Sequence, residues 1–206
     1  MDMDVNTMPS FYPVMLNISG LSCLVVGGGK VAERKIASLL ASGARVTVIS
    51  PTVSDKIESW IKEGKVKAVY REYETGDAKQ YRLVYAATND DSVNGQVSDD
   101  AKAYHCWVNV SGDQQMSSFI DPAVLTRGKL QIAVSTSGAS PVIAAKIKKE
   151  LEEHYGEEYE RVLHFLYLLR SEVRKRFADE KRRKQVLRYI GQIDWMELYR
   201  SNQMKF

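Results

Sequence analysis

The sequence predicts an α/β fold: a doubly wound parallel sheet, then a small linking region, then a helical C-terminal domain. Three observations predict it. Up to about residue 113, short β-rich runs alternate with amphipathic segments, as parallel strands joined by crossover helices require. One of those runs passes directly into a glycine-rich turn that opens a helix. From Ser140 onward the pattern is helical almost throughout. The implied division is residues 1–113, 114–145 and 146–206.

Each element has its own signal. The expected strands of the sheet are Leu21–Val26, Arg45–Ile49, Val66–Tyr70, Leu83–Thr88 and Trp107–Val110. Between the first two, Lys30–Ser42 places Val31, Ala32, Ile36, Leu39 and Leu40 at helical spacing, and Gly43 ends it. A second helix, Ser54–Glu63, carries Ile57, Trp60 and Ile61 on one face before Gly64. After Asp113, Ser117–Val124 and Leu130–Ser135 read as two further strands about a turn at Thr126-Arg127-Gly128. Ser140 suits an N-cap and Pro141 a first helical turn, with Val142, Ile143, Ala144, Ile147 and Leu151 as an apolar stripe. Gly156 interrupts this helix. In the next one, Val162, Leu163, Phe165, Leu166, Leu168 and Leu169 are too crowded for one stripe, which predicts packing from more than one side, by a second subunit or a neighbouring helix.

Composition sets the bounds. With 206 residues, 44% of them hydrophobic, the chain can bury a real core. No run reaches the roughly 18 to 20 apolar residues that span a bilayer, and Met1-Asp2-Met3-Asp4-Val5-Asn6 carries acids where a secretion signal starts positive. A soluble, cytoplasmic protein with no membrane partner is expected. Cys23 and Cys106 each sit in an apolar run and read as reduced core residues. Net charge is +3, but from Arg161 to the end twelve bases face five acids. That surplus suits either a solvated helix face or an anionic partner such as nucleic acid, a phosphate or a polycarboxylate.

The most informative local feature is Leu24-Val25-Val26-Gly27-Gly28-Gly29-Lys30-Val31-Ala32, a buried strand entering the pattern G-x-G-x-x-A. Gly27 allows the sharp turn, Gly29 leaves room for a pyrophosphate, and Ala32 lets the helix pack close to the sheet. The helix N-terminus adds N–H groups and the positive end of its dipole. A Rossmann-type dinucleotide site built on Gly27, Gly28, Gly29, Lys30 and Val31 follows. Where such folds usually offer an acid to the adenosine ribose, this chain has Ile49-Ser50-Pro51-Thr52. Ser50 or Thr52 can hydrogen-bond a ribose hydroxyl, Ser50 and Pro51 are placed at the cofactor, and the choice between NAD and NADP stays open there. After the fourth strand, Thr88 and Asn89 are candidates for cofactor contact or, equally, for a helix N-cap. His105, His154 and His164 have no ligand spacing to another His or Cys, so no metal site is expected.

Four stretches together resemble the siroheme-synthase dehydrogenase family, that is, precorrin-2 dehydrogenases and their bifunctional dehydrogenase–ferrochelatase relatives. They are Gly27 to Lys35; Ala86-Ala87-Thr88-Asn89-Asp90; Asn109-Val110 through Ser118-Phe119-Ile120-Asp121-Pro122-Ala123; and Ile132 to Pro141. The resemblance implies NAD-dependent oxidation of precorrin-2 to sirohydrochlorin, in siroheme biosynthesis. It also implies a homodimer held by the segments after the Rossmann domain, and C-terminal helices that help form the tetrapyrrole cleft. The fused relatives carry a large methyltransferase domain for which this chain has no room. The family places an aspartate in a pattern like Asn-Val-x-Asp after the fifth strand, often with a second acid beside it. Here the stretch is Asn109-Val110-Ser111-Gly112-Asp113, so Gly112 takes the first acidic position and Asp113 becomes the candidate base. Ser135 and Thr136 match the family's paired hydroxyl residues. With Ser137 they form a turn that can seat a substrate carboxylate or simply cap the next helix.

Two other functions compete with this reading. A bifunctional enzyme would also insert ferrous iron into sirohydrochlorin in the same cleft. A dinucleotide-sensing regulator would use the basic run Arg170–Lys184 on nucleic acid, but Glu172, Asp179 and Glu180 interrupt that run and no recognition-helix motif accompanies it. No nucleic-acid partner is expected.

Overall fold

The computed structural model describes residues 11–201, so the acidic N-terminal stretch Met1–Asn6 and the basic Lys205 lie outside the described residues. The chain divides between Ile120 and Asp121 into two compact units.

The first unit is a five-stranded parallel sheet in the order β3-β2-β1-β4-β5. Its elements are β1 (Ser22–Val26), α1 (Lys30–Ala41), β2 (Arg45–Ile49), α2 (Asp55–Lys62), β3 (Val66–Val69), β4 (Leu83–Ala86), α3 (Asp91–Ala103) and β5 (Trp107–Val110). The central strand β1 is buried on both faces, as an apolar run without alternation requires. Its side chains feed two cores. Cys23 and Val25 meet Ile36 and Leu39 of α1 and Ile57 of α2 on one face; Leu24 and Val26 meet Val97 and Ala101 of α3 on the other. Fully burying Leu24 or Ile36 is worth about 2 kcal/mol each. Both cysteines are free and buried in these cores.

Three differences from the sequence reading stand out in this unit and its border. Helix α3 is not announced by its residues, most of which are polar; Val93, Val97 and Ala101 form a thin apolar line at four-residue spacing. Its N-cap is Asp90, not Thr88 or Asn89, because the Asp90 carboxylate accepts the N–H groups of Ser92 and Val93. Those two bonds and the Ser92 hydroxyl, the strongest contributor, hold the Asp90 carboxyl below its ordinary range. The expected strand Ser117–Val124 does not form. Residues 117–119 instead hang on β5 largely through side chains: Val110 N–H donates to Ser117 Oγ, Val108 N–H to Ser118 Oγ, and Asn109 Nδ2 to the Phe119 carbonyl, beside one backbone bond from the Ser118 N–H to the Val108 carbonyl at 2.8 Å. Pro122 cannot donate to a ladder, and the next strand starts after it.

The second unit begins with an antiparallel hairpin of β6 (Ala123–Arg127) and β7 (Leu130–Val134). Thr126 and Arg127 belong to β6, so the turn is Gly128-Lys129 and not Thr126-Arg127-Gly128; Gly128 sits at a φ of 55°. Helices α4 (Pro141–His154), α5 (Glu158–Arg176), α6 (Glu180–Gln192) and α7 (Trp195–Arg200) follow. Ser140 caps α4 by accepting the Ile143 N–H, with Pro141 in the first turn. Of the crowded apolar positions of α5, only Val162 is fully buried, with Val173 further along, while Leu168 stays exposed. Phe165 packs on Trp195 with ring centroids 5.6 Å apart, and Arg200 on α7 pairs with Glu158 at 3.0 Å. No described helix is long and apolar enough to cross a membrane.

Candidate active site

Because all five strands are parallel, their carboxyl ends open on one edge, and the strand order reverses between β1 and β4. That switch point is where open α/β sheets bind ligands. The glycine loop leaves β1 there. Gly27 has a φ of 114°, and a Cβ at this position would lie 2.4 Å from the Ala87 carbonyl oxygen, so only glycine fits against the end of β4. A Cβ at Gly28 would strike the Thr52 carbonyl oxygen at 1.9 Å, while the Gly28 carbonyl accepts the Ser54 N–H at 2.8 Å. The loop after β1 is thereby fastened to the loop after β2.

Gly29 differs in kind. A Cβ there would meet nothing within 4 Å, so its missing side chain opens space and relieves no protein contact. Gly29 is also the N-cap of α1, and no side chain caps that helix, whereas Ser54, Asp90 and Ser140 cap α2, α3 and α4. Open space over an uncapped helix start fits a dinucleotide diphosphate, which would take the N–H groups that a cap residue otherwise satisfies. Beside it, Lys30, Val53, Ser54, Asp55, Lys56 and Ser59 line an open cavity of about 590 Å³. Glu33 spans the rim, accepting from Ser54 Oγ at 2.9 Å and Lys30 Nζ at 3.4 Å. Val31 is half-buried in the first turn of α1 and packs on the core.

The other residues predicted at the cofactor divide by their engagements. Ser50 is buried and donates its hydroxyl to the Thr52 carbonyl at 2.7 Å, shaping the loop in which Pro51 is exposed. Thr88 is likewise occupied, donating from both N–H and Oγ1 to Asn94 Oδ1. Asn89 is exposed at the carboxyl end of β4.

After β5, Ser111 continues the ladder by donating its N–H to the Ala86 carbonyl, and Gly112 turns the chain at a φ of 91°. Asp113 then bridges back to Val110. Its Oδ1 accepts the Met116 N–H at 3.0 Å, and its carbonyl accepts Ser117 Oγ at 2.6 Å. Oδ2 has no hydrogen-bond partner among the described residues. One oxygen therefore fixes the turn. Two strand spacings separate this turn from the glycine loop, roughly 10 Å along the same edge.

In the second unit, Ser135, Thr136 and Ser137 form the turn between β7 and α4. Thr136 Oγ1 accepts the Ser140 N–H and donates to the Ser140 carbonyl, both at 3.1 Å, and Ser135 Oγ accepts the Ser137 N–H. Ser137 holds a φ of 49°, a left-handed conformation rare outside glycine. Strain of this kind concentrates at functional turns. Among the described residues, no group of His, Cys, Asp or Glu is arranged to hold a metal.

Four contributors escaped the sequence reading. Glu33 and Ser54 join the two cofactor-side loops, Asn94 holds Thr88, and Ser98 donates to the Met116 carbonyl. Only Ser54 had a visible signal, as a cap preceding a helix; the others act across the fold.

Comparison with known proteins agrees with this fold. A family model for NAD(P) binding matches residues 14–123, and one described as sirohaem biosynthesis protein central matches residues 127–154. The precorrin-2 dehydrogenase of Priestia megaterium is 35% identical over 87% of this chain and 88% of its own length. The siroheme synthase of Nitrosococcus oceani is 38% identical over 84% of this chain. The chain spans only 37% of that relative's length. A solved structure of SirC, a precorrin-2 dehydrogenase, superposes with a TM-score of 0.77 at 34% identity, covering 89% of this chain and 90% of the other.

Proposed function

The chain belongs to the precorrin-2 dehydrogenase and siroheme synthase family, and we propose that it oxidises precorrin-2 to sirohydrochlorin with NAD⁺. One observation carries the reading furthest. The strand order sets a loop fit for a diphosphate and the half-buried Asp113 carboxylate on a single sheet edge.

When bound, the nicotinamide takes the hydride that leaves the reduced macrocycle. The chain's own residues do the rest. Gly27, Gly28 and Gly29 shape the backbone so that the N–H groups of Lys30 and Val31 meet the diphosphate, with Ser50, Pro51, Thr88 and Asn89 framing the cofactor's flanks. Asp113 accepts the accompanying proton on Oδ2, a role for which its fixed Oδ1 holds the carboxylate in place. The turn Ser135-Thr136-Ser137 receives a carboxylate of the substrate, with Thr136 holding its shape through the bonds to Ser140.

We assign the homodimer contact to residues 114–145 and the helical C-terminal domain to 146–206. Val124 of β6 and Val142 and Ile143 of α4 are exposed large apolar residues in or directly beside that segment, with Ile147 one turn further, and such a patch suits a second copy. The buried free thiols of Cys23 and Cys106 suit a reducing, cytoplasmic compartment. Anaerobic incubation of the protein with precorrin-2 and NAD⁺, followed by the sirohydrochlorin spectrum, tests the proposal. A spectrum unchanged from the enzyme-free control refutes it.

A further inference from the structure

The turn that carries Asp113 is held from outside by a residue with no place in the reading above. Ser98 lies in the middle of α3 and is fully buried. Its hydroxyl donates to the Met116 carbonyl at 2.6 Å, and the N–H of Met116 donates to Asp113 Oδ1 at 3.0 Å. The two bonds meet on one residue, so a displacement of Met116 is passed to the carboxylate.

The remaining ties of the turn run to β5 or close within the turn itself, where the Ser117 N–H donates to the Gln114 carbonyl at 3.1 Å. Asp113 N–H donates to the Val110 carbonyl at 3.2 Å, and Ser117 bonds both Val110 and Asp113. These ties fix the backbone of Asp113 but leave its side chain to Met116. Gly112, left-handed and without a side chain, gives the turn little stiffness of its own. A buried hydroxyl on a helix packed against β4 and β5 supplies the missing reference point.

We propose that Ser98 is a positioning residue: through Met116 it sets the place of the Asp113 carboxylate at the carboxyl edge of the sheet. This rests on Asp113 being the base. Ser98 never meets the substrate, and alanine there keeps the helix, since alanine is the best helix former. Only the bond to Met116 is lost.

The test is a double-mutant cycle with Ser98→Ala, Asp113→Asn and the combined variant, measuring kcat, KM for precorrin-2, affinity for NAD⁺ and Tm. Expected is a fall in kcat of roughly ten- to a hundredfold for Ser98→Ala, with NAD⁺ affinity unchanged and no further loss when it is added to Asp113→Asn. Ser98→Thr, which keeps the hydroxyl, should recover most of the rate. If Asp113→Asn retains wild-type turnover, the assignment of the base fails. If Asp113→Asn is impaired while Ser98→Ala turns over normally, or lowers the rate equally in both backgrounds, the positioning role is overturned.

Discussion

The Gly28 carbonyl oxygen accepts the Ser54 N–H at 2.8 Å, while the α-carbon of Gly28 faces the Thr52 carbonyl so closely that a methyl group would lie 1.9 Å from its oxygen. One glycine thus serves the fold and its neighbour serves the ligand. Gly28→Ala forces the two loops apart and should cost at least about 2 kcal/mol of stability, seen as a lower Tm without ligand. Gly29→Ala meets open space at an extended backbone, so it should keep the wild-type Tm and weaken NAD⁺ binding about tenfold or more. Equal effects of the two substitutions on Tm would contradict this division of labour.

Asp113→Asn retains the Oδ1 contact with Met116 but cannot take a proton. Turnover should fall about a hundredfold or more, with NAD⁺ affinity preserved, as measured by steady-state kinetics beside a binding titration. Undiminished turnover would mean that another group removes the proton.

Ser111 Oγ is buried with no hydrogen-bond partner among the described residues. A hydroxyl left unpaired costs about 1 kcal/mol or more, so Ser111→Ala should raise the Tm of the free protein. A drop in Tm would show that the hydroxyl has a partner in solution.

Arg71 and Asp77 form a two-pronged ion pair, both contacts at 2.7 Å, that closes the loop between β3 and β4. The Arg71 guanidinium, as the largest influence, holds the Asp77 carboxyl below its ordinary range. A depressed carboxyl contributes stability above the unfolded value of about 4 and loses it as pH falls through the lower folded value. Arg71→Ala should therefore cost about 1 kcal/mol at neutral pH, and its deficit should shrink as urea denaturation is repeated below about pH 4. A deficit independent of pH would assign the loss to packing.

The Rossmann half was legible because its signals are local: an apolar run, a glycine turn and an amphipathic helix occur in order within β1, α1 and β2. The first helix start and the Ser140 cap were readable for the same reason. Helix α3 was not, since burial by Val97 and Ala101 needs only a thin stripe and its other faces are Asp, Ser and Asn. The stretch 117–124 misled because a β-prone run looks alike whether it makes a full backbone ladder or, as here, holds β5 by serine hydroxyls and the backbone bond from Ser118 to Val108. The candidate site was partly legible for a related reason. Glycines at 27 and 29 announce themselves by spacing, but the bond from Ser98 to Met116 joins residues 18 positions apart, and nothing in the string marks it.

The proposed reaction takes a hydride and a proton from one macrocycle at this sheet edge. Its most direct measure is the balance of a sealed, anaerobic reaction of precorrin-2 with NAD⁺, in which NADH and sirohydrochlorin are quantified together. The two should appear in equal amounts, and only with protein present. Sirohydrochlorin formed without matching NADH, or NAD⁺ bound with neither product formed, would contradict it.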